Sequence, residues 1–414
     1  VFDAFAVLET NPMRGRFLNG MLISAGVFFL TASTAKSQDI AAGIVEPDLV
    51  DFDRLMSSFI KQHELPGAEL AVSHNGYIVY NRSFGYADRD KEIPAQPTSL
   101  FRIGSVSKTI TAVAVLQLVE KSKLDLDDKV FDVLKLEEPQ GIPFDMRWKA
   151  VTILQLLQHT GGWDSGKSFD PTGPWPTISK DMNLKSPGDH AGIIQSMLRK
   201  SLQFDPGTQH HYSNFGYCLL GRIIETISRS SYEEYVQTHV LAPLGIKRMR
   251  LGKTSLKDRA EQEVRYYATN SEDPYGSWYL ETLDSAGGWL GTAEDVLHFA
   301  LAFDNPKQCK ILNEASITIM FARPPGVPGK DQDGKPIEVY YGCGWNVHPF
   351  SGGRMSTWHL GSLPGTSAEL AQLGNGVAFV VLFNARDTPE KKNAAGLIES
   401  KLVEAADAVK RWPR

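Results

Sequence analysis

Apolar residues near the two ends of the chain fall into strand-length runs that break at Asn-Gly. Ala68–Val72 and Tyr77–Phe84 flank His74-Asn75-Gly76, and Ala368–Leu373 and Val377–Phe383 flank Gly374-Asn375-Gly376. Asn-Gly supplies the positive φ that a tight turn needs, so each stretch predicts a β-hairpin. The middle of the chain behaves differently. Thr109–Val119 is apolar on nearly every helical face, which predicts a buried helix starting just after Gly104. Residues from about 130 to 285 read as mostly helical, and Pro389–Val409, with alanines and charges interleaved, predicts a closing helix. Terminal strands around a helical middle predict an α+β fold, an antiparallel sheet flanked by helices with an inserted mainly helical subdomain and a cleft between the two. Residues 164–190, holding Pro171, Gly173, Pro174, Trp175 and Pro176, and residues 323–336 are too rich in proline and glycine for regular structure, and they are expected to shape that cleft. Trp163, Trp175 and Trp289 have two readings, an apolar pocket for an acyl group or ordinary core packing.

The helix predicted after Gly104 opens on Ser105-Val106-Ser107-Lys108. Residues three apart share a helical face, so the Lys108 amine is expected beside the Ser105 hydroxyl, near the positive end of the helix dipole. A serine hydroxyl is a weak nucleophile until a neighbour takes its proton, and burial favours the neutral amine that does so. The spacing alone is cheap. A capping serine with a snorkelling lysine gives the same pattern, and Ser33-Thr34-Ala35-Lys36 repeats it where no active site is expected. A second constellation, Tyr212-Ser213-Asn214, follows Pro206-Gly207 and so belongs to a loop. Beside a lysine ammonium Tyr212 would favour the phenolate and serve as a base, the alternative being a surface tyrosine, and Asn214 would donate to a substrate carbonyl. The third, His359-Leu360-Gly361, precedes the alternating segment Thr366–Leu373, which places it on or beside a sheet edge. Gly361 there lets a substrate backbone approach, and the N–H of the next residue, Ser362, would complete an oxyanion hole with that of Ser105.

In this order and at these separations the three constellations resemble the serine β-lactamase and penicillin-recognising enzyme family. The likeness is to its class C-like branch of β-lactamases, D-Ala-D-Ala carboxypeptidases, D-aminopeptidases and family VIII carboxylesterases. It runs from about Asp51 to the C-terminus. Leu124-Asp125-Leu126-Asp127-Asp128, Leu156-Leu157-Gln158-His159-Thr160-Gly161-Gly162, Ala286-Gly287-Gly288-Trp289-Leu290-Gly291-Thr292 and Tyr341-Gly342-Cys343-Gly344-Trp345 support it. The resemblance implies a β-lactamase-like fold and acyl transfer through a covalent Ser105 ester, with Lys108 and Tyr212 sharing the proton transfers. Asn214, His359, Gly361 and Ser362 would then meet a small ester, amide or peptide substrate, without cofactor or metal.

One position departs from that pattern. True class C β-lactamases begin the third motif with lysine, a permanent cation for the lactam carboxylate, whereas a histidine of ordinary value about 6.5 is mostly neutral at pH 7. His359 looks more like the esterase and D-peptidase members. Carboxylesterase activity is therefore expected ahead of D-peptidase activity, with weak β-lactamase activity third. Arg386 is the candidate for the missing charge, against a plain surface arginine. A non-catalytic class stays open, a penicillin-binding sensor that acylates and stalls or a scaffold in envelope assembly, and the intact motifs argue against it. His159-Thr160-Gly161 mimics the third motif but precedes the tyrosine motif, so a structural turn is expected. The His210-His211 pair has no second ligand cluster at metal spacing, and no glycine-rich phosphate loop follows a strand.

Composition changes this picture little. The 414 residues, 42% apolar and 22% charged, suffice for a large core, and a net charge of −5 without a basic stripe gives no footprint for nucleic acid. Arg14 and Arg16 precede an apolar stretch, Met21–Leu30, and then small residues Thr31–Ser37, which reads as a secretory signal peptide cleaved near Ala35 or Ser37. Met13 fits the start of that signal. The expected organisation is an extension and signal over 1–37 and a hydrolase domain over 38–414, in a secreted or periplasmic protein. The apolar run is too short for a stable membrane span, and a retained anchor is the alternative. Cys218, Cys309 and Cys343 are an odd count that gives no disulfide framework; Cys218 reads as a core residue, and Cys309 and Cys343 are left open as a pair. Oligomeric state is not legible.

Overall fold

The computed structural model describes residues 40–413, apart from 168, 174–177, 181, 184–187, 269–271 and 332. The predicted signal segment, with Arg14, Arg16, Met21–Leu30 and the Ser33-Thr34-Ala35-Lys36 copy, lies outside the described residues, as do Pro174, Trp175 and Pro176.

Both Asn-Gly stretches turn as hairpins. Asn75 and Gly76 take φ of 50° and 83°, Gly376 takes 87°, and the two turns are tied by Asn75 N–H donating to the Gly376 carbonyl at 2.8 Å. The hairpins join into one antiparallel sheet. Its order is β1 (Ala41–Gly43), β3 (Tyr77–Asp88), β2 (Gly67–His74), β12 (Val377–Phe383), β11 (Thr366–Gln372), β10 (Met355–Leu363), β9 (Asn346–Pro349) and β8 (Tyr340–Tyr341), with β4 (Ile93–Pro94) added on β3. Strand β3 runs four residues past the predicted Phe84, because Tyr86 and Asp88 find partners in β4. A small second sheet orders β5 (Phe101–Arg102), β7 (Trp289–Gly291) and β6 (Arg250–Leu251).

Every residue of β12 is buried, so its apolar run does not alternate with polar positions. Two layers explain this. Phe379, Val381 and Phe383 enter one core, packed with Phe52, Met56 and Phe59 of helix α1 (Val50–Gln62) and with Ile398 and Leu402 of the closing helix. Ala378, Val380 and Leu382 enter the other, with helix α2 (Ser107–Glu120) and the helical middle of the chain. A strand covered on both faces is expected to be apolar throughout.

Helix α2 is the axis of the second core. All but its last two residues are buried, and fully burying each aliphatic side chain such as Ile110, Val113 or Leu116 contributes about 1.5–3 kcal/mol. Against it pack α3 (Asn214–Ser228) and α4 (Leu280–Gly287), and α5 (Ala293–Leu301) lies on the sheet. Between Val130 and Gly287 the described elements are helical except β6. The closing helix, α6, spans Ala394–Asp407 rather than starting at Pro389. Asn393 caps it by accepting from Gly396 N–H, after a turn in which Lys391 takes a φ of 61°.

Trp163 and Trp289 are core residues, which corrects the pocket reading for both. Trp163 packs edge-on against Trp148 at 5.1 Å and Phe215 at 5.2 Å, and Trp289 donates Nε1–H to the Tyr232 hydroxyl at 2.9 Å. All three cysteines are free, Cys218 and Cys343 buried. No helix among the described residues is long and apolar enough to cross a membrane.

Candidate active site

Ser105 lies in a 3₁₀ turn, Gly104–Val106, that leads into α2. Two glycines let that turn touch the sheet. Gly104 has φ +52°, and a Cβ on it would sit 2.8 Å from the Ser362 nitrogen; a Cβ on Gly361 would sit 2.0 Å from the Ile103 carbonyl oxygen. No other residue fits at either position without moving backbone, so β10 and the Ser105 turn meet through the two glycines. Beyond Trp358 strand β10 no longer pairs with β9, and that freed edge carries His359, Leu360, Gly361 and Ser362.

Lys108 is fully buried, and its amine makes three contacts. Nζ donates to Ser105 Oγ at 3.0 Å, to Asn214 Oδ1 at 2.7 Å and to the Ala286 carbonyl at 2.7 Å. Two of these partners only accept, so two N–H bonds are committed whatever the charge. The remaining valence points at Ser105. As an ammonium it gives Ser105 a proton bond, and as an amine it offers a lone pair to the serine hydroxyl. Burial pulls the lysine down to about 7, so both forms are populated near neutral pH; Cys218 and Asp170 act in the opposite sense. The rings of Tyr212 and Tyr217 face the amine at 4.8 and 5.6 Å.

Tyr212 joins this pair from the loop before α3. It is 38% exposed, and its ring packs on His159 at 4.3 Å. The expected phenolate is not favoured. Loss of water around the hydroxyl holds the phenol well above its ordinary value, outweighing a hydrogen bond with Ser105 that lowers it, and the lysine amine lies over the ring face. Tyr212 is therefore a neutral phenol at pH 7, able to hand on a proton as well as accept one. Ser213 caps α3 by accepting from Gly216 N–H at 3.2 Å, and its own N–H donates to His159 Nδ1 at 3.2 Å. His159, buried with φ 56°, thus holds the tyrosine loop, the structural role expected of it.

Asn214 also differs from expectation. Its Oδ1 accepts from Lys108, and its Nδ2 donates to Asp170 Oδ2 at 2.6 Å. The amide expected to donate to a substrate carbonyl is spent on the protein. Asp170 belongs to the proline- and glycine-rich segment 164–190 and carried no motif signal beyond its Asp-Pro-Thr-Gly turn.

His359 is 3% exposed, with Nδ1 bound to the Leu360 carbonyl at 2.7 Å and Nε2 to the Tyr341 hydroxyl at 2.9 Å. Burial, helped by the nearby Lys108 charge, drops it to about 3, against a carbonyl contact that raises it. It is a neutral wall of the site and not a cation aimed at substrate. Arg386 does not supply the charge either, because Asp387 and Glu272 hold its guanidinium. Tyr341, which fixes His359, was not singled out as a site residue. Gly361 is buried against the Ser105 turn and Ser362 is exposed beside it. His210 faces solvent 5.9 Å from the rings of His159 and Tyr341, and His211 lies 3.4 Å from Asp164; among the described residues no three His, Cys, Asp or Glu side chains are grouped to hold a metal ion.

A serine in a turn seated on a sheet edge, with a buried lysine that keeps one valence for it, is the arrangement of a serine hydrolase. The chain belongs to the Beta-lactamase family, whose family model matches residues 52–402. It is 28% identical over 260 residues to Protein flp of Staphylococcus aureus (strain MW2), covering 61% of this chain and 48% of that protein, so it spans about half of that relative's length. It is similar to the octameric penicillin-binding protein homologue from Pyrococcus abyssi, with a TM-score of 0.65 and 25% identity over 85% of this chain and 77% of that one. The D-amino acid amidase from Ochrobactrum anthropi SV3 superposes with a TM-score of 0.67 over 87% of this chain and 99% of that one, at 22% identity, a likeness of fold alone.

Proposed function

We propose that this enzyme is a carboxylesterase acting on small, uncharged esters through an acyl-Ser105 intermediate. The observation that carries it is the Lys108 amine, committed to Asn214 Oδ1 and the Ala286 carbonyl and open only toward Ser105. Neutral Lys108 takes the hydroxyl proton as Ser105 Oγ attacks the carbonyl. In this reading the oxyanion is met by the N–H groups of Ser105 and of Ser362, whose nitrogen lies against Gly104, and each such donor is worth on the order of 3 kcal/mol. Tyr212, hydrogen-bonded to Ser105, gives its phenol proton to the leaving alcohol and takes a proton back from the Lys108 ammonium. In the second half the same pair accepts a proton from the attacking water and returns one to the Ser105 oxygen as the acid leaves.

Charge supports the choice of substrate. The two candidates to hold a substrate carboxylate are a neutral His359 and a paired Arg386, while Asp170 sits behind the amine. A carboxylate-bearing lactam has little to anchor it there. Initial hydrolysis of a short-chain p-nitrophenyl ester, with Ser105→Ala as blank and a D-amino-acid amide and a chromogenic cephalosporin alongside, tests the reading. Ester turnover that vanishes with Ser105→Ala and exceeds both other rates is expected. An amide rate above the ester rate would replace esterase with D-peptidase, and labelling of Ser105 without turnover would indicate a stalled sensor. We also infer export, supported by Arg14, Arg16 and Met21–Leu30; recovery of the protein with residues 1–37 intact after expression of the full chain would remove that inference.

A further inference from the structure

We propose that Asp170 is a positioning residue for the Ser105–Lys108 pair: its carboxylate fixes which end of the Asn214 amide faces Lys108 and supplies the negative charge that offsets burial of the amine. The proposal rests on the reading of Lys108 as the proton acceptor for Ser105.

The geometry is a three-residue chain. A carboxylate only accepts, so Asp170 Oδ2, 2.6 Å from Asn214, selects the NH₂ end of the amide. Oδ1 is then turned toward Lys108 Nζ, at 2.7 Å. Reversing the amide would set oxygen against carboxylate and N–H against N–H, two repulsions at once. Asp170 is itself fixed, its Oδ1 accepting from Thr172 N–H at 2.9 Å and Oγ1–H at 2.6 Å, and its carbonyl from Gly173 N–H at 2.9 Å. A loop outside the three motifs thereby locks the second motif onto the first.

The other groups around Lys108 cannot supply that charge. From α3 come Asn214, Tyr217 and Cys218, from the tyrosine loop Tyr212, from α4 the Ala286 carbonyl, and from elsewhere His159 and His359. Burial keeps the Cys218 thiol and both phenols protonated and both imidazoles neutral. Among the described residues Asp170 remains as the anion acting on the amine. Without it, burial would be opposed less strongly and the lysine would hold its proton less well. An amine that is too weak a base takes the serine proton poorly, and the ammonium it forms gives that proton back too early.

The test is the pH dependence of kcat/KM for the ester in wild type, Asp170→Asn and Asp170→Ala, with thermal stability and covalent labelling of Ser105 measured on each. Asp170→Asn removes the charge but keeps a carbonyl oxygen for the Asn214 NH₂. Its acid limb should move to lower pH by about one unit, since the amine persists further down, with a plateau rate within a few fold of wild type. Asp170→Ala frees the amide as well, so the same shift should come with a plateau loss of roughly 10- to 100-fold. Rates that fall while the acid limb stays at its wild-type position would overturn the proposal, because a merely structural role loses rate without moving the limb. Asp170→Asn decides this even if Asp170→Ala does not fold. A wild-type profile with no acid limb would instead remove Lys108 as the acceptor, and the proposal with it.

Discussion

Two completely buried ionisable groups, one on each side of the sheet, are treated in opposite ways. On the face toward α2, Lys108 is surrounded by three oxygen partners, and its amine remains able to gain and lose a proton near neutral pH. On the face toward α6, Glu369 of β11 has no hydrogen-bond partner for either oxygen, and burial, with Glu399 of α6 adding like charge, pushes it well above its ordinary value of 4.5. The cost of burying charge is common to both. Partners decide whether a buried group stays chemically usable or is simply held neutral, so perturbation by itself does not mark the active site. Geometry toward a reacting atom does.

The sharpest way to break this comparison is at the proton path. Tyr212→Phe removes the hydroxyl that shares Ser105 with Lys108 and should lower kcat by 10²- to 10⁴-fold while leaving acylation by a reactive probe measurable. A near-normal rate would mean that Lys108 serves both proton transfers alone. Next in size is the profile of the wild-type enzyme. With the Lys108 amine as the proposed proton acceptor, kcat/KM should rise with pH and level off above about 7, falling tenfold per unit below it. Glu369 should leave that profile untouched.

Much of this was legible in the chain because the informative contacts are short in sequence or repeat regularly. Ser105 and Lys108 are one helical turn apart, and the uninterrupted apolar run of α2 announces their burial. The two Asn-Gly hairpins carry their own turn chemistry. Legibility ends where a partner comes from far away in the chain. Asn214 was found, but its role depends on Asp170, 44 residues earlier in a segment without period. The neutrality of His359 was expected from its ordinary value, yet its removal from substrate depends on Tyr341, brought beside it only when β8, β9 and β10 assemble. Strands of two to four residues, such as β5, β6 and β8, are too short to show alternation at all.

The smallest expected effect concerns stability, and it isolates the other half of the comparison. A carboxyl whose folded value is raised binds its proton more tightly folded than unfolded, so its contribution is fully present below about 4.5 and is lost as pH rises. His159 and His359 act in the reverse direction, because their rings are held neutral while the unfolded chain protonates them below about 6.5. The wild-type curve alone therefore mixes signs. The difference between wild type and Glu369→Gln does not, since glutamine imitates the protonated acid and cannot ionise. The two proteins should melt together at pH 4.5 and separate steadily above it, the variant becoming the more stable by about 1 kcal/mol or more at pH 8, with ester turnover unchanged. Thermal melts at both pH values decide it. A gap of equal size at each would mean that the carboxyl is destabilising for its shape rather than its charge, and a change in turnover would mean that the two faces of the sheet are coupled.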